Sequence, residues 1–280
     1  MQVRVLPELL LIRSLTVVGV DEIKNQIHHC DYLAMLRQIP DESVDLILTD
    51  PPYGIGFQSH VNTNRHDVLE NDEGDFSYEP LAREALRVLK PNTAAFFFTG
   101  WSVYPDHFHQ VKRAGFKMRT TLIVQKNMTA LGYGEGDFAG NSEWCIFAVK
   151  GSFKFRQTNL MRNKCVGAKW GNGISGKSVG EYKLRFPACW FGDEFPIAAE
   201  PPSFQEKYRH PTPKGQEFFI WLIKISTDPG ALVVDPFSGS GTTAAASILS
   251  DRNFIACDVN PEFVTTGRRR ISRSHIGGFM

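Results

Sequence analysis

The chain has 280 residues, five cysteines and a formal net charge of +1, with 31 Lys and Arg against 30 Asp and Glu. That length suits one large domain, or a domain carrying a substantial insertion, with a sizeable core. The near-neutral total names no partner by itself. The cysteines form no CxxC pair and no zinc spacing with histidine, so they read as reduced, mostly buried thiols and no metal is expected.

In chain order, the apolar start "MQVRVLPELLLIRSLTVVGV" is interrupted by Arg4, Glu8 and Arg13, which favours a packed terminal helix or strand over a signal peptide or membrane span. "VDLILTD" is a buried strand, a short apolar run ending in turn residues. "YEPLAREALRVLK" predicts a helix with Leu81, Ala85, Leu86 and Leu89 on its apolar face, stopped by Pro91. "TAAFFFTG" is a second buried strand, "VYPDHFHQVKRAGF" a helix, and "RTTLIVQK" and "EWCIFAVK" two further strands. The alternation resumes from about 217 with the helix "EFFIWLIKIST". A strand, glycine turn and helix follow in "ALVVDPFSGSGTTAAASILS". The chain then gives the strand "NFIACDVN" and the helix "PEFVTTGRRRISR". This alternation predicts an α/β fold with a mostly parallel sheet covered by helices on both faces.

The region between about 150 and 210 breaks the pattern. From Lys150 to Trp190 nine Lys or Arg face one acid, Glu181, an excess of eight positive charges interleaved with Phe153, Phe155, Trp170 and Tyr182. Such a local excess points to a surface that meets phosphates.

Two stretches carry chemistry. "VVDPFSGSGTT", Val233 to Thr243, places a glycine turn after a strand, where open α/β sheets bind ligands. Gly239 and Gly241 allow close backbone approach. The spacing is neither GxGxxG nor a P-loop. The next strand ends in Asp258, seventeen residues after Gly241, placed to accept hydrogen bonds from ribose hydroxyls. Turn plus acid suggest a nucleoside cofactor without a pyrophosphate. The other stretch is "DLILTDPPYGIGF", a strand ending in an acid, two prolines and an aromatic residue.

"TDPPYG" followed far downstream by "DPFSGSGTT" resembles the β-group of amino DNA methyltransferases. The run-up "HHCDYLAMLRQIPDESVDLILTDPPYG", with Asp31, and the segment "RHPTPKG" match the same family. Ser238 stands where alanine is common. The resemblance covers about Ile27 to Arg273 and implies an S-adenosylmethionine-dependent methyltransferase (Rossmann-like) fold in circularly rearranged order. Residues 1–149 would form the catalytic half, 150–209 an inserted basic target-recognition region, and 210–280 the cofactor-binding half. It implies methyl transfer from S-adenosylmethionine to the N6 amino group of a flipped-out adenine in double-stranded DNA.

The residues suit that chemistry. An exocyclic amine is a poor nucleophile, because its lone pair is delocalised into the ring. Asp50 and the carbonyl of Pro51 can accept its two N–H bonds, with that carbonyl fixed by Pro52, and preorganised acceptors stabilise developing positive charge. Tyr53 offers a stacking face. By resemblance, Asp50 also borders the cofactor. Asp235 with Phe237, Ser238, Gly239, Ser240, Gly241 and Thr242 wraps the methionine end and sulfonium. Asp258 holds the ribose, Asp31 meets the adenine, and His210, Thr212 and Lys214 lie near the carboxylate. Lys154, Arg156, Arg162, Lys164, Lys169, Lys183 and Arg185 are the expected DNA contacts. The alternatives are N4-cytosine methylation, a catalytically inactive DNA-binding homologue, and methylation of RNA or protein glutamine. A cytoplasmic protein, solitary or half of a restriction–modification pair and able to dimerise, is the expected setting.

Overall fold

The computed structural model describes residues 19–53, 76–125, 142–156, 189–190 and 216–276. The apolar N-terminal segment read above lies outside them. The described elements are α1 (Val20–Ile23), β1 (Gln26–His29), α2 (Tyr32–Gln38), β2 (Val44–Thr49), α3 (Tyr78–Val88), β3 (Leu89–Thr99), α4 (Tyr104–Arg113), β4 (Lys117–Gln125), β5 (Ser142–Lys150), β6 (Cys189–Trp190), α5 (Gln216–Ser226), β7 (Leu232–Asp235), α6 (Thr242–Ile248), β8 (Asn253–Asp258) and α7 (Pro261–Ile276).

The eight strands form one sheet in the order β1-β8-β7-β2-β3-β5-β4-β6. Every pairing is parallel except β3–β5 and β5–β4, so β5 alone runs against its neighbours. The expected α/β fold with a mostly parallel sheet is present. The first described strand, β1, pairs with the last, β8, in the register Gln26↔Ile255 to His29↔Asp258. This circular arrangement puts the late strands β7 and β8 between the early strands β1 and β2. The only described part of the basic region's interior, β6, adds a short parallel strand to the far edge through Ile123↔Cys189.

Alternation along the central strands builds two cores. Ile47, Ala95, Phe97 and Ile146 face α2, α3 and α4, where they meet Leu36, Leu81, Ala85 and Val111. Leu46, Leu48, Phe96, Phe98 and Cys145 face the other way, onto Phe218, Phe219, Leu222 and Ile223 of α5. Burial on both faces explains why these strands read as continuous apolar runs. Cys30, Cys145 and Cys257 are buried free thiols, as the composition suggested. No described helix is long and apolar enough to cross a membrane.

Local rules set the helix ends. Asp31 caps α2, accepting from the N–H groups of Leu33 and Ala34. Ser77 caps α3 by accepting from Glu79 N–H. The buried stripe of α3 is Tyr78, Leu81, Ala82, Ala85 and Val88. The helix stops earlier than Pro91 alone suggests, because Leu89 is already extended and begins β3. Proline disfavours helix at the residue before it, so an extended Lys90 is natural and the strand starts ahead of the ring.

The glycine turn and α7 come into direct backbone contact. Gly241 has φ +77°, and a Cβ there would sit 2.8 Å from the Cα of Gly267. A Cβ on Gly267 would in turn meet the Ile27 side chain at 2.7 Å. Gly241 thus carries both a left-handed backbone and a helix packed directly against it. Gly241→Ala is expected to lower unfolding free energy by about 1–3 kcal/mol, the usual cost of a strained backbone position. Urea unfolding without ligand measures it, and a change within experimental error would show that the turn can relax.

Candidate active site

The sheet order places four acids in one row. β1, β8, β7 and β2 are adjacent and parallel, and at their carboxyl ends stand Asp31, Asp258, Asp235 and Asp50, in that order. With strands about 4.8 Å apart, the row spans roughly 14 Å. Parallel strands deliver their ends to one rim, where open α/β sheets form ligand crevices.

Asp235 joins the two halves of the row. Thr49, the last residue of β2, donates from Oγ1 to Asp235 Oδ1 at 2.8 Å, and Phe237 N–H donates to the same oxygen at 3.1 Å. The side chain is 4% exposed. Burial pushes its carboxyl up to about 6, despite bonds that favour the ionised form, and the nearby Asp50 charge adds to the rise.

Asp258 is tied to the turn. One oxygen accepts from Gly239 N–H at 2.8 Å and the other from Asn260 N–H at 2.9 Å. Burial raises its pKa above the ordinary carboxylate value. Asp31, besides capping α2, stands next to an aromatic wall. Phe237 lies 4.8 Å from Tyr32 and 5.5 Å from Phe76 between ring centroids.

In the DPPY segment, Pro51 is buried and Pro52 half-buried. The Tyr53 hydroxyl donates to Asp50 Oδ1 at 2.7 Å. The Tyr53 ring fills the space left by Gly100 after β3, where a Cβ would come within 3.2 Å of Cδ2. The phenol pKa is pushed well above normal, first by burial and then by the Asp50 and Glu143 charges. Tyr53 therefore remains a donor to Asp50 across the physiological range. The sequence identified its ring but missed this bond.

The glycine turn is held from behind by α7. Arg270, 4% exposed, donates from Nη1 to Thr242 Oγ1 at 3.0 Å and Ser240 Oγ at 3.3 Å, and from Nη2 to Gln216 Oε1 at 3.0 Å. Ser238 N–H donates to Cys257 O. The Ser238 hydroxyl is buried and has no partner among the described residues. The glycine pattern alone suggests a ligand beside Gly241, whereas Gly267 occupies the side its Cβ would take. Thr49, Gly267 and Arg270 were not singled out. A glycine inside the helical pattern "TTGRRR" was the available signal, since such glycines mark close packing.

His210, Thr212 and Lys214 lie outside the described residues, as do Arg162, Lys164, Lys169, Lys183 and Arg185. Lys154 and Arg156 are described and exposed, while Phe153 and Phe155 between them pack onto Phe147. Arg156 pairs with Asp228 at 3.4 Å, and its backbone N–H donates to Ile225 O. The first residues of the basic region thus run from β5 across to the C-terminal end of α5.

The raised Asp235 carboxyl has a consequence for pH. A carboxyl whose folded pKa exceeds its unfolded value of 3.8 contributes stability that is full below 3.8 and lost as pH rises through about 6. Asp235→Asn keeps an oxygen for Thr49 and Phe237 and carries no charge. Between pH 4 and 7, wild type should therefore lose about 2 kcal/mol relative to the variant. Chemical unfolding at several pH values reads this difference, and parallel profiles would show that Asp235 does not titrate there.

Comparisons with known proteins agree with this layout. Residues 44–269 match the family model for N6/N4 DNA methylases. "DNA adenine methyltransferase YhdJ" of Escherichia coli (strain K12) is 29% identical over 252 residues, covering 87% of this chain and 81% of that protein. Among solved structures, the M1.HpyAVI–SAM complex superposes with TM-score 0.56 at 21% identity, over 88% of this chain and 98% of that one. The cytosine-N4-specific PvuII DNA methyltransferase superposes with TM-score 0.60 at 17% identity, over 87% and 84%. A family match spanning both the DPPY strand and the glycine turn, on this fold, makes the chain a member of the β-group amino DNA methyltransferases.

Proposed function

We propose that this protein transfers a methyl group from S-adenosylmethionine to the N6 amino group of adenine in double-stranded DNA, acting in the cytoplasm. The observation that carries this reading is Asp50, at the carboxyl end of β2, oriented by the Tyr53 hydroxyl and beside the acid row. The adenine assignment is supported by aspartate at the first position of the motif and by the adenine methyltransferase among the relatives. N4-cytosine is the second reading, favoured by the cytosine-N4-specific structural neighbour.

The site fits the cofactor. The orphaned Ser238 hydroxyl sits in the turn, where a polar ligand group would satisfy it, and a buried polar group without a partner is costly. Asp258 would hold the ribose, Asp31 with the Tyr32–Phe237 wall the adenine, and Phe237 to Thr242 the methionine end. S-adenosylmethionine, when bound, supplies an electrophilic methyl group on a sulfonium.

The chain's own residues then act on the base. Tyr53 holds Asp50 Oδ1, which orients the carboxylate toward the target amine. Asp50 and the Pro51 carbonyl accept its two N–H bonds and stabilise positive charge as it develops on nitrogen. The surplus proton leaves through the hydrogen bond to Asp50. The Tyr53 ring supports the flipped base. The basic region, 150–209, is proposed to hold the duplex and read the site, with Lys154, Arg156, Arg162, Lys164, Lys169, Lys183 and Arg185 on DNA.

Asp50→Ala should keep its circular dichroism and S-adenosylmethionine affinity while transfer falls about 10²-fold or more. Near-normal turnover would remove Asp50 from the chemistry. Modified-base sequencing of DNA from cells expressing the wild type should report N6-methyladenine at one short sequence, and N4-methylcytosine would establish the second reading. Tyr53→Phe keeps the ring and loses the donor. Its kcat should fall about tenfold, as for a hydrogen bond to a charged group, with KM for DNA nearly unchanged. An unaltered kcat would show that Asp50 is oriented without Tyr53.

A further inference from the structure

We propose that Arg270 is a positioning residue for the amino-acid carboxylate of the cofactor, acting through the hydroxyls of Ser240 and Thr242. The inference rests on the cofactor reading above and extends it to a helix outside both sequence motifs. Arg270 lies on α7, one turn beyond Gly267, where the Gly241–Gly267 contact brings that helix against the turn. The side chain is buried and reaches three points at once: Ser240 Oγ and Thr242 Oγ1 in the turn, and Gln216 Oε1 at the start of α5. Gln216 directly follows "HPTPKG" in the chain. The guanidinium therefore ties the turn to the helix that follows the segment expected at the same end of the cofactor.

Counting protons gives the bonds a direction. A guanidinium only donates, so both hydroxyl oxygens accept from Nη1 and must place their own protons elsewhere. The two oxygens lie 3.4 Å apart, close enough for one hydroxyl to donate to the other. The second hydroxyl proton then has to find a further acceptor. Ser238, two residues from Ser240, adds an unpartnered buried hydroxyl to the same turn. Hydroxyl protons directed away from a fixed cation suit an anionic acceptor, and a carboxylate is a group that takes several such donors. Arg270→Gln would lose the double donation and free the two hydroxyls to turn back on each other.

The test compares two ligands on the same protein by calorimetry: S-adenosylmethionine, and decarboxylated S-adenosylmethionine, which keeps the nucleoside, sulfonium and amine. In Arg270→Gln, affinity for the first should fall about tenfold or more, as for lost hydrogen bonds to a charged group, and affinity for the second less than about twofold. Thr242→Val, which removes one hydroxyl at constant volume, should show the same selective loss and carries the test should Arg270→Gln not fold. Equal factors for both ligands would make Arg270 a scaffold residue only, and unchanged affinities would remove it from the site. Either result overturns this inference while leaving the cofactor reading intact. Wild-type protein that binds neither ligand overturns both.

Discussion

The hydrogen bond from Thr49 to Asp235 spans 186 residues of sequence and closes the site. It fastens the end of the DPPY strand to the end of the glycine-turn strand, which already pair through Leu46↔Val233 and Ile47↔Val234. Without that registration Asp50 and the turn would be independent features of a long chain. The bond is made to a carboxylate kept from water, so the protein accepts a desolvated charge at its centre in order to hold the two rims together. Burial first, and then the neighbouring Asp50 charge, raise the cost of ionising Asp235, as is common for acids at functional sites.

Around this bond the supports form layers. Tyr53 orients Asp50, and Gly100 makes room for the ring. Asp258 holds Gly239, Arg270 holds Ser240 and Thr242, and Gly267 admits α7 close enough for Arg270 to reach. Side chains proposed to meet a ligand are thus placed by their neighbours, which is how a site keeps its geometry before a ligand arrives.

Much of this was legible in the sequence. Buried strands announce themselves as short apolar runs, and β2, β3, β7 and β8 were found that way. An acid or glycine turn at the end of such a run carries its chemistry with it. Direction is a different matter. Nothing in "SEWCIFAVK" distinguishes an antiparallel strand from a parallel one when both faces are buried, so the reversal of β5 emerges only from pairing. "QIHH" has too little apolar pattern to be seen as a strand, and it is one because β8 offers it an edge. The run "RRR" reads as a solvated face, and Arg269 is exposed. Arg270 turns inward because its helix is pressed against a glycine, a fact of packing that composition does not record. Sequence alone suggests Asp258 and Asp31 as ligand-facing acids; what the structure shows is their bonds to backbone N–H groups, by which these carboxylates build the loops they stand on.

The pairing of β1 with β8 also bears on how the molecule comes into being. Asn25 and Asn253 bond to one another across 228 residues, and β7 and β8 fill the middle of the sheet although they are made long after β1 and β2. A nascent chain therefore presents β1 and β2 with vacant edges until β7 and β8 have left the ribosome. Long-range closure of this kind is slow and leaves strand edges open to wrong partners meanwhile. The circular order that gathers the acids into one row thus makes the growing chain wait for β7 and β8 before the centre of its sheet can close.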